Sequence, residues 1–371
     1  MTFDIPYYRL QNQHLLEDKL NGPVEVVDWL GAVQSQDYGG AKWAIGLRTE
    51  GLIDADVDRA FADGSILRTH LLRPTWHFVT PADVRWMLAL TAPRVLALMA
   101  YMDRQLGLDK AVLRKNHATL EKALQGGNHL TRVELGTALQ KNRINTDDLR
   151  LGHLMMHAEL DGVVCSGPRR GKQFTYALLE ERVPAANALT RDESLAELVT
   201  RYFQSHGPAT LQDFCIWSGL TMSDARNGID MVKSQFLSSE VNGQTYWFKE
   251  PKLHSRKKSP RAHLLPNYDE YFIGFKDRSA IGQHLQPAGV QKDDPSLLAN
   301  IIIFDGQVVG GWRRILKKNE VLVEASLILK STNLEQQAIA EAAERFGAFL
   351  GLPVSLSFKE HTHGQRKTRS L

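Results

Sequence analysis

Phe236-Leu237-Ser238-Ser239-Glu240-Val241-Asn242-Gly243-Gln244-Thr245-Tyr246-Trp247-Phe248 carries the clearest architectural signal in the chain. Asn-Gly between two strand-like runs marks a two-residue hairpin turn, because both central residues of such a turn take positive φ. Upstream, Thr190-Arg191-Asp192-Glu193 reads as a capping box, and Thr221 to Asp224 is a weaker form of the same signal. With the apolar spacing, these marks place helices over 192–205, 211–219 and 223–235 ahead of the hairpin.

The same order occurs twice more. Residues 111–124, 132–141 and 147–160 read as helices, the second opened by Thr131-Arg132-Val133-Glu134. They precede a hairpin over 163–165 and 174–179, joined by Gly167-Pro168-Arg169-Arg170-Gly171-Lys172. Near the start, helices over 11–20, 24–36 and 56–62 precede strands over 66–71 and 75–79. Three short helices followed by a β-ribbon make a winged helix, a helix-turn-helix with a wing. A long linking helix over 81–106, opened by Thr80-Pro81-Ala82-Asp83, follows the first copy. Beyond 260 the pattern turns to strands: 262–265, 271–275, 301–305, 308–312, 321–328 and 354–358, with one helix over 334–350. The expectation is an α+β chain of three tandem winged-helix units and a β-rich C-terminal domain. Its divisions are 1–106, 107–185, 186–252 and 253–371, the last ending in a basic tail.

Composition narrows the function. The chain has 371 residues, 43% hydrophobic and 23% charged, enough to bury several cores and too apolar for global disorder. Lys and Arg number 45 against 42 Asp and Glu, so bulk charge proves no polyanionic partner. Two cysteines, Cys165 and Cys215, make neither a disulfide framework nor a paired-cysteine zinc site. The most apolar stretch, 86–102, is broken by Thr91, Pro93 and Arg94, which excludes a bilayer span, and Met1 to Leu10 lacks the pattern of a secretory signal. A cytoplasmic, nucleoid-associated location is expected.

Walker, Gly-x-Gly-x-x-Gly, His-Glu-x-x-His and Gly-x-Ser-x-Gly motifs are missing, as is the zinc-deaminase signature. His153, His157 and Asp161 share a helix face, but no second helix offers a completing ligand, so ordinary hydrogen bonds are expected there, as for His361 and His363. Neither metal nor cofactor is expected. Basic side chains gather at turn tips instead: Arg169, Arg170 and Lys172; Arg256, Lys257 and Lys258; Arg313, Arg314, Lys317 and Lys318; Arg366, Lys367 and Arg369. Repeated basic tips in a nearly balanced chain point to a positive surface for a nucleic-acid backbone.

The remaining local signal is Gly31-Ala32-Val33-Gln34-Ser35-Gln36-Asp37-Tyr38-Gly39-Gly40. The helix over 24–36 is expected to end against Gly39-Gly40, as helices end at glycine. Residues two apart diverge on a regular helix, so Gln34 and Gln36 cooperate only where it unwinds.

This stretch, with Trp43-Ala44-Ile45-Gly46-Leu47-Arg48, resembles the Gln-x-Gln segment of the winged-helix DNA glycosylase superfamily, the AlkZ-like group. Arg73-Pro74-Thr75-Trp76-His77-Phe78-Val79 resembles a second motif of that family. Leu265-Pro266-Asn267-Tyr268-Asp269-Glu270-Tyr271, with 274–278, resembles a third. Ser35 stands where the family is usually apolar, and Pro74 where it often has glycine.

The resemblance implies a C-shaped channel for double-stranded DNA, without an obligate protein partner. It implies monofunctional excision of N-alkylated purines in base-excision repair of alkylation damage, with interstrand crosslinks unhooked in some members. Its catalytic glutamines fall on Gln34 and Gln36, with Trp76, His77, Asp269 and Tyr271 as pocket candidates. A base alkylated at a ring nitrogen is already cationic and leaves without a strong acid. The glutamines then position water and stabilise an oxocarbenium-like sugar through their amide oxygens, with the NH2 groups anchored elsewhere and a helix C-terminus adding negative partial charge. The competing reading is a non-catalytic winged-helix regulator or lesion sensor, which needs no glutamine pair; a nuclease lacks its acidic cluster.

Overall fold

The computed structural model describes residues 3–183, 188–250, 261–285 and 300–359. The basic connector at Arg256-Lys257-Lys258, the tail histidines His361 and His363, and Arg366, Lys367 and Arg369 lie outside the described residues. The chain forms two compact units: a larger one running Tyr8–Lys252 that takes back Asp269–Lys276, and a smaller one that contains the C-terminal strands.

α1 (Ile5–Asn12), which enters the larger unit at Tyr8, leads into the first winged helix: α2 (Pro23–Leu30), β1 (Val33–Gln34), α3 (Tyr38–Gly46), α4 (Asp54–Asp63), β2 (Leu67–Leu71) and β3 (Thr75–Val79). The linking helix α5 (Pro81–Gln105) follows. The second copy repeats the plan with α6 (Lys110–Leu124), β4 (Leu130–Thr131), α7 (Arg132–Lys141), α8 (Arg150–Leu160), β5 (Val164–Arg170) and β6 (Gln173–Leu178), then a turn of helix, α9 (Leu179–Arg182). The third has α10 (Arg191–Ser205), α11 (Leu211–Ser218), α12 (Met222–Val232), β7 (Leu237–Val241) and β8 (Gln244–Phe248).

Sheet order shows that these are copies. The first sheet runs β1-β3-β2 and the second β4-β6-β5. In the third, the leading strand shrinks to one bridge, Ala209 to Trp247, beside β7-β8. Each wing is thus flanked by a short strand that precedes its second helix. One apolar core joins α5, the first sheet and the third copy through Met87, Val95, Tyr202, Phe203 and Trp217; the second copy has its own, around Leu120, Leu135 and Leu154.

The smaller unit is a five-stranded sheet ordered β13-β12-β11-β10-β9, from β9 (Ala262–Leu265), β10 (Ile301–Phe304), β11 (Gln307–Leu316), β12 (Val321–Leu327) and β13 (Val354–Lys359). β12 and β13 are parallel, which requires a crossover, and α14 supplies it after α13 (Glu270–Ile273) has returned to the larger unit. α14 (Asn333–Leu350) starts on a capping box at Thr332 and Glu335 and ends on Gly351. No helix among the described residues is long and apolar enough to cross a membrane.

Three local expectations are corrected. The first helix is α1, not 11–20, and the chain turns at His14, whose φ is 54°. Residues 271–275 form a helical turn rather than a strand, because Asp269 accepts from the Tyr271 N–H and caps it. The third correction bears on function: α2 ends at Leu30, where Gly31 takes φ 78°. Residues 33–36 are therefore not helical, and Gly39-Gly40 lies in the first turn of α3 rather than closing a helix.

Candidate active site

Gly31 turns the chain out of α2, in a conformation that side chains rarely adopt. The chain then enters the first sheet, with Val33 opposite Phe78 and Gln34 opposite His77. The Ser35 N–H continues the ladder to the Trp76 carbonyl at 2.7 Å. Asp37 ends the segment by capping α3, its carboxylate accepting from the Gly40 N–H at 3.1 Å. Gln34 thus lies on a strand and Gln36 at the bend that follows it, rather than on a fraying helix, while Ser35 is fully buried.

The two amides differ in setting. Gln34 is 8% exposed and Gln36 is exposed. Arg73 Nη2 donates to Gln34 Oε1 at 3.0 Å, and the Trp76 main-chain N–H donates to Gln36 Oε1 at 3.3 Å. A guanidinium and a backbone N–H only donate, so the contacting atom of each amide is its oxygen. The anchoring is the reverse of that expected from the sequence. Each oxygen is held by protein and keeps one lone pair. The glutamines lie between two helix ends, the C-terminus of α2 at Leu30 and the positive N-terminus of α3 at Tyr38, rather than on a helix that ends at them.

A buried carboxylate stands behind Gln34. Glu270 is 1% exposed. Its Oε1 accepts from the Gln34 main-chain N–H at 3.2 Å, and its Oε2 from Trp217 Nε1 at 3.0 Å and His206 Nε2 at 3.3 Å. Desolvation opposes its ionisation, but the His206 hydrogen bond and the charge of Arg73 outweigh it and hold Glu270 below the ordinary range. Burial lowers the pKa of His206, which at neutral pH donates through Nε2–H as the neutral ring. Burial also lowers Arg73, and Glu270 opposes that shift.

Gln36 rests on a second network. Trp76 Nε1 donates to Glu159 Oε1 at 3.2 Å, and Glu159 also contacts His70 Nδ1. The Arg68 guanidinium lies 4.4 Å from the Trp76 ring and 4.5 Å from the Phe174 ring, and its Nε donates to the Ser35 carbonyl at 3.2 Å. Beyond Phe174, Arg169 lies over Phe174 and Tyr38, and Lys42 over Tyr38, so cations and rings alternate from Trp76 outward.

Of the residues nominated from sequence, Gln34, Gln36, Trp76 and His77 meet at this sheet. His77 is fully buried, and its Nδ1 lies 2.9 Å from the Thr75 carbonyl. Burial and the charge of Arg73 keep its pKa well below the usual value, so the ring is neutral. Asp269 is committed to a buried two-point pair with Arg48, at 2.8 and 2.9 Å, and Tyr271 is fully buried in α13. The basic tips are engaged locally. Arg169 donates to the Lys172 carbonyl, Arg170 pairs with Glu134 at 2.8 Å, Arg313 with Glu324, and Lys317 with Glu320 at 2.7 Å, while Lys172 and Lys318 are exposed and Arg314 is half-buried. His153 and His157 share Asp103 of α5, at 3.2 and 3.0 Å. No group of three His, Cys, Asp or Glu among the described residues can hold a metal ion.

The sequence reading passed over Arg68, Arg73, Glu159 and Glu270. Arg73 and Glu270 lie inside quoted motifs, so the signal was adjacency to nominated residues. Arg68 and Glu159 carried none, being isolated charges in apolar runs.

Comparison with known proteins identifies the family. Residues 27–349 match the family described as DNA glycosylase AlkZ-like. The interstrand DNA cross-link repair glycosylase of Streptomyces sahachiroi is 25% identical over 321 residues, 82% of this chain and 85% of that protein. The solved structure of the DNA glycosylase AlkZ from the same organism matches in fold with a TM-score of 0.76, covering 95% of this chain and 98% of its own at 21% identity. The chain, three winged helices in tandem with a strand-rich unit, belongs to the AlkZ-like DNA glycosylase family, enzymes that hydrolyse N-glycosyl bonds.

Proposed function

We propose that this glycosylase removes N-alkylated, cationic purines from duplex DNA and that Gln34 and Gln36 form its catalytic pair. The observation that carries the reading is that two amide oxygens, two residues apart in sequence, are each held by a donor-only group of the β2–β3 hairpin, Arg73 or Trp76. A cationic base leaves without general-acid help, so the protein's task is to orient water and face the sugar as it becomes cationic. The lone pair left on each oxygen can accept from water or point its dipole at that cation, with no reorganisation during the step. Gln36, the exposed member, meets substrate first; Gln34 forms the inner wall. Acceptance of crosslinks extends the reading by likeness to the Streptomyces sahachiroi enzyme.

The test is release of free base from duplexes carrying N7-methylguanine, other N-alkylpurines or one interstrand crosslink, in the presence of a chelator. Metal-independent release from at least one cationic adduct is expected. Tight duplex binding with no release from any of them would favour a regulator or lesion sensor.

A further inference from the structure

We propose that Glu270 is a positioning residue for the Gln34 half of the pair. Its buried carboxylate pins the Gln34 main chain and offsets the Arg73 guanidinium, so that the Gln34 oxygen can face a forming glycosyl cation. The inference rests on the glutamine reading above and deepens it.

Three observations support it. The carboxylate is 1% exposed, yet both its oxygens are occupied, by Gln34 N–H on one side and by Trp217 and His206 on the other. A purely structural acid needs no contact with the motif; this one bonds the residue that carries the inner amide. Second, Arg73 brings a full positive charge to Gln34 Oε1, the atom asked to face a cation. Without a counter-charge, that guanidinium opposes the reaction, and Coulomb interactions are little screened in a buried setting. Third, the N-terminus of α3, which opens two residues after Gln36, is also positive. Glu270 is a buried anion that bonds the motif and offsets that positive charge. It does not touch substrate; it acts through Gln34 and Arg73.

Position in the chain explains why the group is so fixed. Asp269, locked to Arg48, caps α13, and Glu270 follows as its first helical residue. The Gly274 carbonyl accepts from the Tyr202 hydroxyl at 2.7 Å, and a side chain at Gly274 would meet the Glu270 carbonyl oxygen at 2.6 Å and the His206 ring at 2.7 Å. The turn is therefore held at both ends, and the carboxylate has little freedom to leave Gln34.

The experiment is single-turnover excision, with enzyme in excess over an alkylated duplex, alongside duplex affinity and thermal unfolding. Wild type is compared with E270Q, E270D, Q34A and Q34A/E270Q. E270Q keeps shape and an acceptor but removes the charge; it is expected to slow the chemical step about 10- to 100-fold, with duplex affinity within about twofold of wild type. E270D, which retains the charge, is expected to excise faster than E270Q, and this comparison stands even if E270Q unfolds early. Because Glu270 acts through Gln34, the double variant should be no more than about threefold slower than Q34A alone. A wild-type rate in E270Q with Q34A impaired would overturn the role of Glu270 and leave the glutamine reading standing. Full multiplication of the two defects would place Glu270 on a separate path and also overturn it. A wild-type rate in Q34A would remove the glutamine reading itself, and this inference with it.

Discussion

Gln34 and Gln36 have the same side chain, yet their partners make them unequal: a guanidinium and a buried carboxylate behind one, a main-chain N–H and a tryptophan behind the other. The motif nominates the two positions, with Trp76 and His77, and the structure brings the four together. The way the amides are anchored was not legible in the sequence. Which atom of a glutamine is held depends on the donor it meets, and Arg73 lies 39 residues away along the chain. Glu270 was hidden for the same reason, since it bonds Gln34 across 236 residues of sequence and no local pattern encodes that. At this scale Arg73→Lys is informative. An ammonium keeps the charge but lacks the fork that reaches Gln34 Oε1 and, through Nη1 at 3.2 Å, the Ile216 carbonyl. Single-turnover excision is expected to slow about tenfold with unchanged duplex affinity; an unaltered rate would show that Arg73 does not fix the amide.

Helices with hydroxyl caps were read from the sequence with little error, since the caps at Thr131, Thr190 and Thr332 satisfy their own first-turn N–H groups locally. β1 was invisible because a two-residue strand has no period to detect; Gly31 and Asp37, which end α2 and start α3, were its only markers. The error mattered, because it put Gln34 on a helix when it lies on a strand paired with His77. Between elements, the second wing is tied to the first sheet by the alternating stack of Trp76, Arg68, Phe174, Arg169 and Tyr38. Phe174→Leu keeps apolar bulk but removes the ring from between two guanidinium groups. Denaturant unfolding is expected to show a loss of about 1 kcal/mol. A loss within error of zero would mean that the stack is packing alone.

Across the whole molecule, tandem winged helices were legible because one order of elements recurs three times; the return of Asp269–Lys276 to the larger unit was not, since it is a long-range pairing. Stability at this scale should depend on pH through the histidines. His77 and His206 are fully buried, and burial lowers both pKa values; those of His14, His117 and His129 are lowered as well. The unfolded chain binds protons at these sites below about pH 6.5 while the folded chain resists them, so stability is full above that pH and falls as acid is added. Each fully buried ring contributes a slope on the order of 1 kcal/mol per pH unit while it stays neutral in the fold. The melting temperature is expected to drop steadily from pH 7 to pH 5, before the carboxylates titrate; a flat profile would contradict buried neutral rings. Whether two uncharged amides anchored by the β2–β3 hairpin carry out the excision is read from the single-turnover rates of Gln34→Ala and Gln36→Ala on an alkylated duplex, measured with their duplex affinities. Each variant is expected to bind within about twofold of wild type and to excise roughly 100-fold more slowly or worse. A wild-type rate in either variant would overturn the pair.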